Sequence, residues 1–252
     1  MPTSFDVVGD ILIFSDFPEE LNKKEKIIGE TILNNFKNVR VVTKKVGKYG
    51  GKFRTPKLKI IAGNRRKETV HSENGIRVKL NVEKVYFSAR LGHERERINK
   101  LVKKGENVLV MFSGCGVYCV NIAKNSEANE IYGVEINTIA HRYALENIEL
   151  NKANNVNLFL GDVNMVLPKI RKRFDRVLMP LPKSAEDFLD IALTKVKKGG
   201  ILHFYDFLHE NDFGLSEKKV KEAAKKARIL NFTKCGQYGP GKFRICLDAK
   251  IY

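Results

Sequence analysis

An apolar run, Asn107-Val108-Leu109-Val110-Met111-Phe112, passes directly into Ser113-Gly114-Cys115-Gly116-Val117-Tyr118. Glycines in a strand-to-helix turn let backbone N–H groups approach a ligand with no Cβ in the way. Alone, such a turn serves nicotinamide cofactors, nucleotides or plain packing equally well, and the third glycine of the dinucleotide fingerprint is missing. About 20 residues on, a second apolar run ends in Glu135, where a carboxylate accepts hydrogen bonds from both hydroxyls of a ribose. A third run, Asn157-Leu158-Phe159-Leu160-Gly161-Asp162, ends in another carboxylate. Asp162 is placed to accept from the exocyclic amine of an adenine while the Val163 amide donates to a ring nitrogen; equally, Asp162 can cap the following helix. A fourth run, Asp175 to Met179, stops at Pro180-Leu181-Pro182, a rigid wall for a pocket mouth, with Ser184 the expected cap of the next helix. A fifth, Ile201 to Phe207, brings His203, Tyr205 and Asp206 near that mouth. A lone histidine on an apolar strand reads as a satisfied core residue, so His203 is given no catalytic role.

These groups converge only if the runs lie side by side with their carboxyl ends together. From residue 94 the pattern alternates helix and strand, the signature of βαβ units and a parallel sheet. Strands are predicted at 107–111, 130–134, 156–160, 176–179, 201–207 and 243–251. Helices are predicted at about 94–103, 116–124, 137–151, 163–172, 184–197 and 216–228. An open doubly wound sheet binds its ligand beyond the carboxyl ends of its strands, where all these residues fall. Before residue 82 the rhythm differs: a strand pair or bent strand at 7–14, a helix at 19–36 opened by Pro18, then alternating stretches with Asn74-Gly75 marking a hairpin turn. The expected organisation is a small α+β domain, residues 1–82, followed by a Rossmann-like α/β domain, residues 83–252.

Forty-six Lys and Arg against 29 Asp and Glu leave a formal charge of +17, which favours a polyanionic partner, nucleic acid first; a solvated Lys/Glu-rich surface is the bland alternative. Aromatics interleave with basic residues in Lys48-Tyr49-Gly50-Gly51-Lys52-Phe53-Arg54 and Tyr238-Gly239-Pro240-Gly241-Lys242-Phe243-Arg244. Stacking on bases with phosphate contact uses that mixture, and so does a loop with a half-buried ring. Cys115, Cys119, Cys235 and Cys246 form neither a disulfide framework nor a CxxC pair, so reduced thiols without metal are expected. The N-terminus lacks a basic leader region and no apolar stretch is of membrane-spanning length, which points to a cytoplasmic protein with no membrane partner.

The most specific segment is Val85-Tyr86-Phe87-Ser88-Ala89-Arg90-Leu91-Gly92-His93-Glu94-Arg95-Glu96-Arg97-Ile98. With Val8-Gly9-Asp10-Ile11, His71-Ser72-Glu73-Asn74-Gly75, Met111 to Gly116, Val134-Glu135-Ile136-Asn137, Glu146 to Asn151 and Gly199 to Tyr205, it resembles the tRNA methyltransferases that act on the guanosine 3′ of the anticodon. The sister group, the wybutosine-synthesising aminocarboxypropyltransferases, shares these motifs, and the resemblance covers nearly the whole chain. It implies a class I S-adenosylmethionine-dependent transferase without metal, its co-substrate held by Ser88, Arg95, Phe112, Ser113, Gly114, Gly116, Tyr118, Glu135, Ile136, Asp162 and Val163. Arg95 suits the methionine carboxylate.

Two departures favour the sister group. The methyltransferases carry Asn-Leu-Pro where this chain has Pro180-Leu181-Pro182, and proline has neither the amide donor nor the side-chain acceptor that methylation of a ring nitrogen uses. They also typically carry a further N-terminal domain. The expectation is therefore transfer of the 3-amino-3-carboxypropyl group to a carbon of 4-demethylwyosine in the anticodon loop of phenylalanine tRNA, by a monomer, with release of methylthioadenosine. Ser88 and Arg95 would help select which sulfonium carbon faces the base, Pro180 would wall the pocket, and Arg90 would touch base or phosphate. No general base is assigned. The alternatives are guanine-N1 methylation at the same position and a non-catalytic tRNA-binding protein.

Overall fold

The computed structural model describes residues 2, 4–47, 55–181 and 183–252. The basic-aromatic stretch 48–54 and Pro182 lie outside the described residues. The chain forms two compact units, Met1–Ala89 and Arg90–Tyr252.

In the first unit, β1 (Phe5–Val8) and β2 (Ile11–Phe14) form a hairpin, β3 (Val41–Lys45) runs parallel to β2, and β4 (Leu58–Gly63) closes the sheet antiparallel to β3. The parallel return from β2 to β3 needs a crossover, supplied by α1 (Glu25–Asn35), whose Ile28 and Ile32 pack with Leu12, Phe14, Val42 and Ile61. The helix expected from residue 19 opens instead as a 3-10 turn, Glu19–Lys24, with no side-chain cap at Pro18. A second hairpin pairs β5 (Glu68–Glu73) with β6 (Ile76–Asn81) across Asn74-Gly75, both left-handed (φ 45 and 74), as a tight hairpin requires. The unit extends past residue 82 because Glu83 is tied into it. Its Oε1 accepts from the Leu58 amide and from Lys67, and Val85 is buried.

The second unit runs α2 (Gly92–Leu101), β7 (Asn107–Met111), α3 (Val117–Asn125), β8 (Glu130–Glu135), α4 (Thr138–Asn151), β9 (Val156–Leu160), α5 (Val163–Val166), β10 (Phe174–Met179), α6 (Leu189–Leu193), β11 (Val196–His209), α7 (Gly214–Ala223), β12 (Arg228–Gly239) and β13 (Lys242–Lys250). Its seven-stranded sheet has the order β12-β13-β11-β10-β7-β8-β9, parallel from β11 to β9, with β13 antiparallel to both β11 and β12. Leu109, Met111, Val134, Val177, Met179, Leu202 and Phe204 form its apolar centre. Strand order reverses between β7 and β10, the switch point where such sheets open a ligand crevice. This is the expected α/β fold.

Three elements depart from expectation. The helix foreseen at 163–172 is one turn, α5, then a 3-10 turn at Leu167–Lys169, because Pro168 cannot continue an α-helix. The helix foreseen at 184–197 is a 3-10 turn, Ala185–Phe188, and the short α6. Ser184 stands at the cap position but is left-handed (φ 62) and makes no side-chain cap bond. The edge strand β12 was not foreseen: mostly exposed and with several irregularities in its pairing, it lacks the alternation that burial of one face imposes. Among the described residues, no helix is long and apolar enough to cross a membrane.

Candidate active site

The loop after β7 is built on backbone that most residues avoid. Gly114 and Gly116 have φ of 58 and 77, and so does a non-glycine, Phe112, at 58. Left-handed backbone at a non-glycine residue costs about 1–3 kcal/mol and persists where surrounding contacts hold it. Here the Phe112 ring packs edge-on against Phe188, with centroids 5.0 Å apart. The Asn147 side-chain amide donates to the Cys115 carbonyl at 2.9 Å, pinning the loop to α4. A Cβ on Gly116 would stand 3.0 Å from that of Ala144, so α4 passes where only glycine leaves room.

Glu135 closes this loop. Its Oε2 accepts from the Gly114 amide and its Oε1 from the Asn137 amide, both at 2.7 Å. Burial raises its carboxyl pKa above the ordinary value, against the backbone bonds that lower it. Each carboxylate oxygen keeps further acceptor capacity, so two ribose hydroxyls find partners without breaking the loop. Asn137 caps α4 by accepting from the Ile139 and Ala140 amides, and the half-buried Ile136 lies between the two. Asp162 does cap α5, Oδ1 accepting from the Asn164 amide at 2.9 Å, and Val163 behind it is buried. One oxygen serves as cap and the second is the one suited to a ligand amine. Gly114, Glu135 and Asp162 thus follow the carboxyl ends of three adjacent strands. This donor and acceptor set fits an adenosine moiety.

On α2, Arg95 is buried with its guanidinium carbon 5.8 Å from the Tyr118 ring centre. The Tyr118 hydroxyl lies 3.4 Å from that of Tyr205, which donates to Glu94 at 2.6 Å. Burial raises both phenol pKa values, so both hydroxyls stay protonated. Glu94 also takes Arg97, which bridges to Asp248 at 2.6 Å. Arg176 Nη1 approaches His203 Nε2 and can only donate, so the proton of the neutral imidazole sits on Nδ1 and is donated to Asp248 at 2.6 Å. Burial lowers the His203 pKa, keeping it neutral. Burial opposes ionisation of Asp248, yet the bonds from His203 and Arg97 outweigh it and hold its carboxyl below the usual range. His203, Cys246 and Asp248 bring metal-ligand atoms within 4.8 Å of one another, but two guanidiniums occupy the lone pairs of the first and last. This is a buried ion network.

The second unit therefore gathers Phe112, Ser113, Gly114, Gly116, Tyr118, Glu135, Ile136, Asp162 and Val163 on one edge of the sheet, with Arg95 joined through Tyr118. Ser88 is half-buried and belongs to the first unit, while Arg90 is exposed at the start of the second. Pro180 is half-buried at the end of β10, where the Leu181 amide donates back to Met179 in a tight turn. Sequence reasoning passed over Glu94, the buried carboxylate that links the Tyr118 hydroxyl to the ion network. Its available signal was the run Glu94-Arg95-Glu96-Arg97, which puts an acid and a base three residues apart on one helix face.

Comparison with known proteins bears on this geometry. The TRM5/TYW2 methyltransferase domain matches residues 69–231 and the TYW2 N-terminal domain residues 1–66. The tRNA (guanine(37)-N(1))-methyltransferase Trm5b of Pyrococcus abyssi is 41% identical over 256 residues, covering 100% of this chain and 76% of that protein. Its crystal structure superposes with a TM-score of 0.90 over 99% of this chain and 75% of its own. The tRNA 4-demethylwyosine(37)-methyltransferase Taw21 of Saccharolobus solfataricus is 33% identical, covering 97% and 92%. The tRNA(Phe) (4-demethylwyosine(37)-C(7)) aminocarboxypropyltransferase of Methanocaldococcus jannaschii is 31% identical, covering 100% and 99%. The structure of M. jannaschii TYW2 in complex with AdoMet aligns with a TM-score of 0.73 at 26% identity, over 98% of each chain. With its α/β transferase domain, TYW2-like N-terminal domain and adenosine-suited loop, this chain belongs to the TRM5/TYW2 methyltransferase family.

Proposed function

We propose that the protein transfers the methyl group of S-adenosylmethionine to the base at position 37 of tRNA, with N1 of guanosine as acceptor. The observation that carries this reading is the 41% identity to Trm5b along the whole chain, against 31% to the aminocarboxypropyltransferase. Pro180 and the further N-terminal domain typical of the methyltransferases pointed to the sister group, but these two departures weigh less than likeness over the full length of this chain. S-adenosylmethionine supplies an electrophilic methyl carbon on a sulfonium. Glu135 holds the ribose, Asp162 and the Val163 amide the adenine, and Arg95 the methionine carboxylate. Their work is to align donor and base within near-attack distance. The N1 lone pair forms the new C–N bond as the methyl C–S bond breaks, its electrons go to sulfur, and the N1 proton leaves to an acceptor.

Pro180 favours a second reading, methyl transfer to a carbon of the tricyclic 4-demethylwyosine. That nucleophile is already electron-rich and needs less help with proton loss than a guanine N1, and Taw21 is 33% identical. Doubly labelled S-adenosylmethionine separates the possibilities. Methyl label entering guanosine-37 tRNA with release of S-adenosylhomocysteine is the expected result. Methyl label entering only tRNA with the tricyclic base establishes the second reading. Carboxyl label entering tRNA with release of methylthioadenosine overturns both.

A further inference from the structure

Beyond the cofactor loop the sheet carries an extension that this chemistry leaves unused. Met179, the last residue of β10, pairs with Phe204, so β11 runs five residues further, to His209, paired there with β13, which in turn pairs with β12. The result is a three-stranded ribbon projecting past the carboxyl edge where the ligand-binding loops lie. Side chains alternate across a strand, so His203, Tyr205 and Phe207 share one face of β11, each about 7 Å beyond the last. Tyr205 meets Tyr118 in the first turn of α3, and Phe207 is the next step outward.

On that step Phe207 meets Tyr238 of β12, with ring centroids 4.4 Å apart, and the Arg244 guanidinium lies 5.0 Å from the Phe207 ring centre. Phe207 and Arg244 are half-buried and buried, which fixes the base of the arrangement, while Tyr238 is 54% exposed. The hairpin segment from residue 228 to 244 contains Arg228, Lys234, Lys242 and Arg244 and no acidic residue. Lys234 of this segment pairs with Glu210 at 3.3 Å. An exposed aromatic face braced by a guanidinium, in a cationic strand pair, suits a flat, electron-rich ring attached to a phosphate chain.

We infer that the Phe207–Tyr238–Arg244 face is a stacking platform for an unpaired nucleotide next to the base being modified, with Lys242 serving its phosphate. This rests on the reading of the protein as a tRNA position-37 transferase, and it assigns to the ribbon the task of holding the loop open beside the cofactor. Stacking made equally in ground and transition states moves KM rather than kcat.

The test uses full-length protein and tRNA carrying 2-aminopurine at position 36 or, separately, 38. Wild-type protein should change the fluorescence at one of these positions. Tyr238→Ala should abolish that change, raise the tRNA KM by about 5- to 100-fold and leave kcat and S-adenosylmethionine affinity near wild type. Tyr238→Phe should restore both the fluorescence change and KM, which loss of a merely structural contact to the hydroxyl would not permit. Lys242→Gln should raise KM and reduce its salt dependence. The platform is overturned if Tyr238→Ala binds and perturbs both labelled tRNAs as wild type does. Failure of the functional reading is scored separately, on wild-type protein alone, as absence of methyl transfer to tRNA. In that case the fluorescence arm still tests the platform.

Discussion

Glu135 ties the Gly114 loop to the start of α4 with one carboxylate, and in the proposed function its remaining lone pairs would meet the ribose of S-adenosylmethionine. Glu135→Gln keeps the shape but replaces one of the two acceptor oxygens by a donor, which then faces the Gly114 or the Asn137 backbone N–H. S-adenosylmethionine affinity should fall by about 1.5–3 kcal/mol, read by calorimetry on protein shown to be folded. The pH dependence follows from the same side chain. Its pKa is raised in the folded protein by burial, so the stability associated with its protonated form is fully present below the unfolded carboxyl value. That contribution is lost as pH rises through the raised folded value. Ribose binding uses the ionised form, so affinity should weaken as pH falls through that same window, above the ordinary glutamate range. An affinity that is flat there would show that Glu135 does not meet the ribose.

At the scale of elements, the buried ion network sets how α2 sits on the sheet. Arg97 of α2 reaches Asp248 of β13, and Asp248 accepts from His203 of β11, whose other nitrogen meets Arg176 of β10. Four elements are joined by buried groups, with Arg97 half-buried at one end. Asp248→Asn takes the charged acceptor from His203 Nδ1–H and one of two carboxylates from Arg97, which keeps Glu94, so it should lower unfolding free energy by about 1.5–3 kcal/mol, measured by urea denaturation. Because Asp248 is ionised far below its usual range, wild type should lose this contribution only in strong acid, and the variant should lack that acid-dependent step. Through Glu94 and Tyr205 the same network reaches Tyr118, so the variant should also bind S-adenosylmethionine more weakly.

At the scale of the molecule, the excess of basic over acidic residues, +17, is the largest physical signal for a polyanionic partner. Each phosphate neutralised on binding releases condensed counterions, so tRNA affinity should fall steeply with salt. Contact with about six phosphates implies a loss of roughly a thousandfold between about 50 and 200 mM. S-adenosylmethionine affinity, measured in the same buffers, should change little. A shallow slope for tRNA would mean that the basic excess is solvated surface.

The strands β7, β8 and β10 were legible in the sequence because a parallel strand buried on both faces must be a near-continuous apolar run, and the edge strand β9 was legible from its own run of Leu158-Phe159-Leu160; each run stops at a chemically distinctive residue. The glycines at 114 and 116, Glu135 and Asp162 were therefore found by reading where apolar runs end. Long-range order was not legible in this way. Nothing local announces that Arg97, Asp248, His203 and Arg176 are partners, since they come from four separate elements and each alone reads as surface charge or a core histidine. The edge strand β12 was missed because an exposed strand is specified by the backbone hydrogen bonds it makes with β13, which leave no alternation in its side chains. Its consequence, an aromatic and cationic face overhanging the ligand edge, exists only once β11, β12 and β13 are paired. Local sequence determined which residues could do chemistry, and tertiary pairing decided which of them meet, because contact between distant residues is a property of register and packing rather than of spacing along the chain.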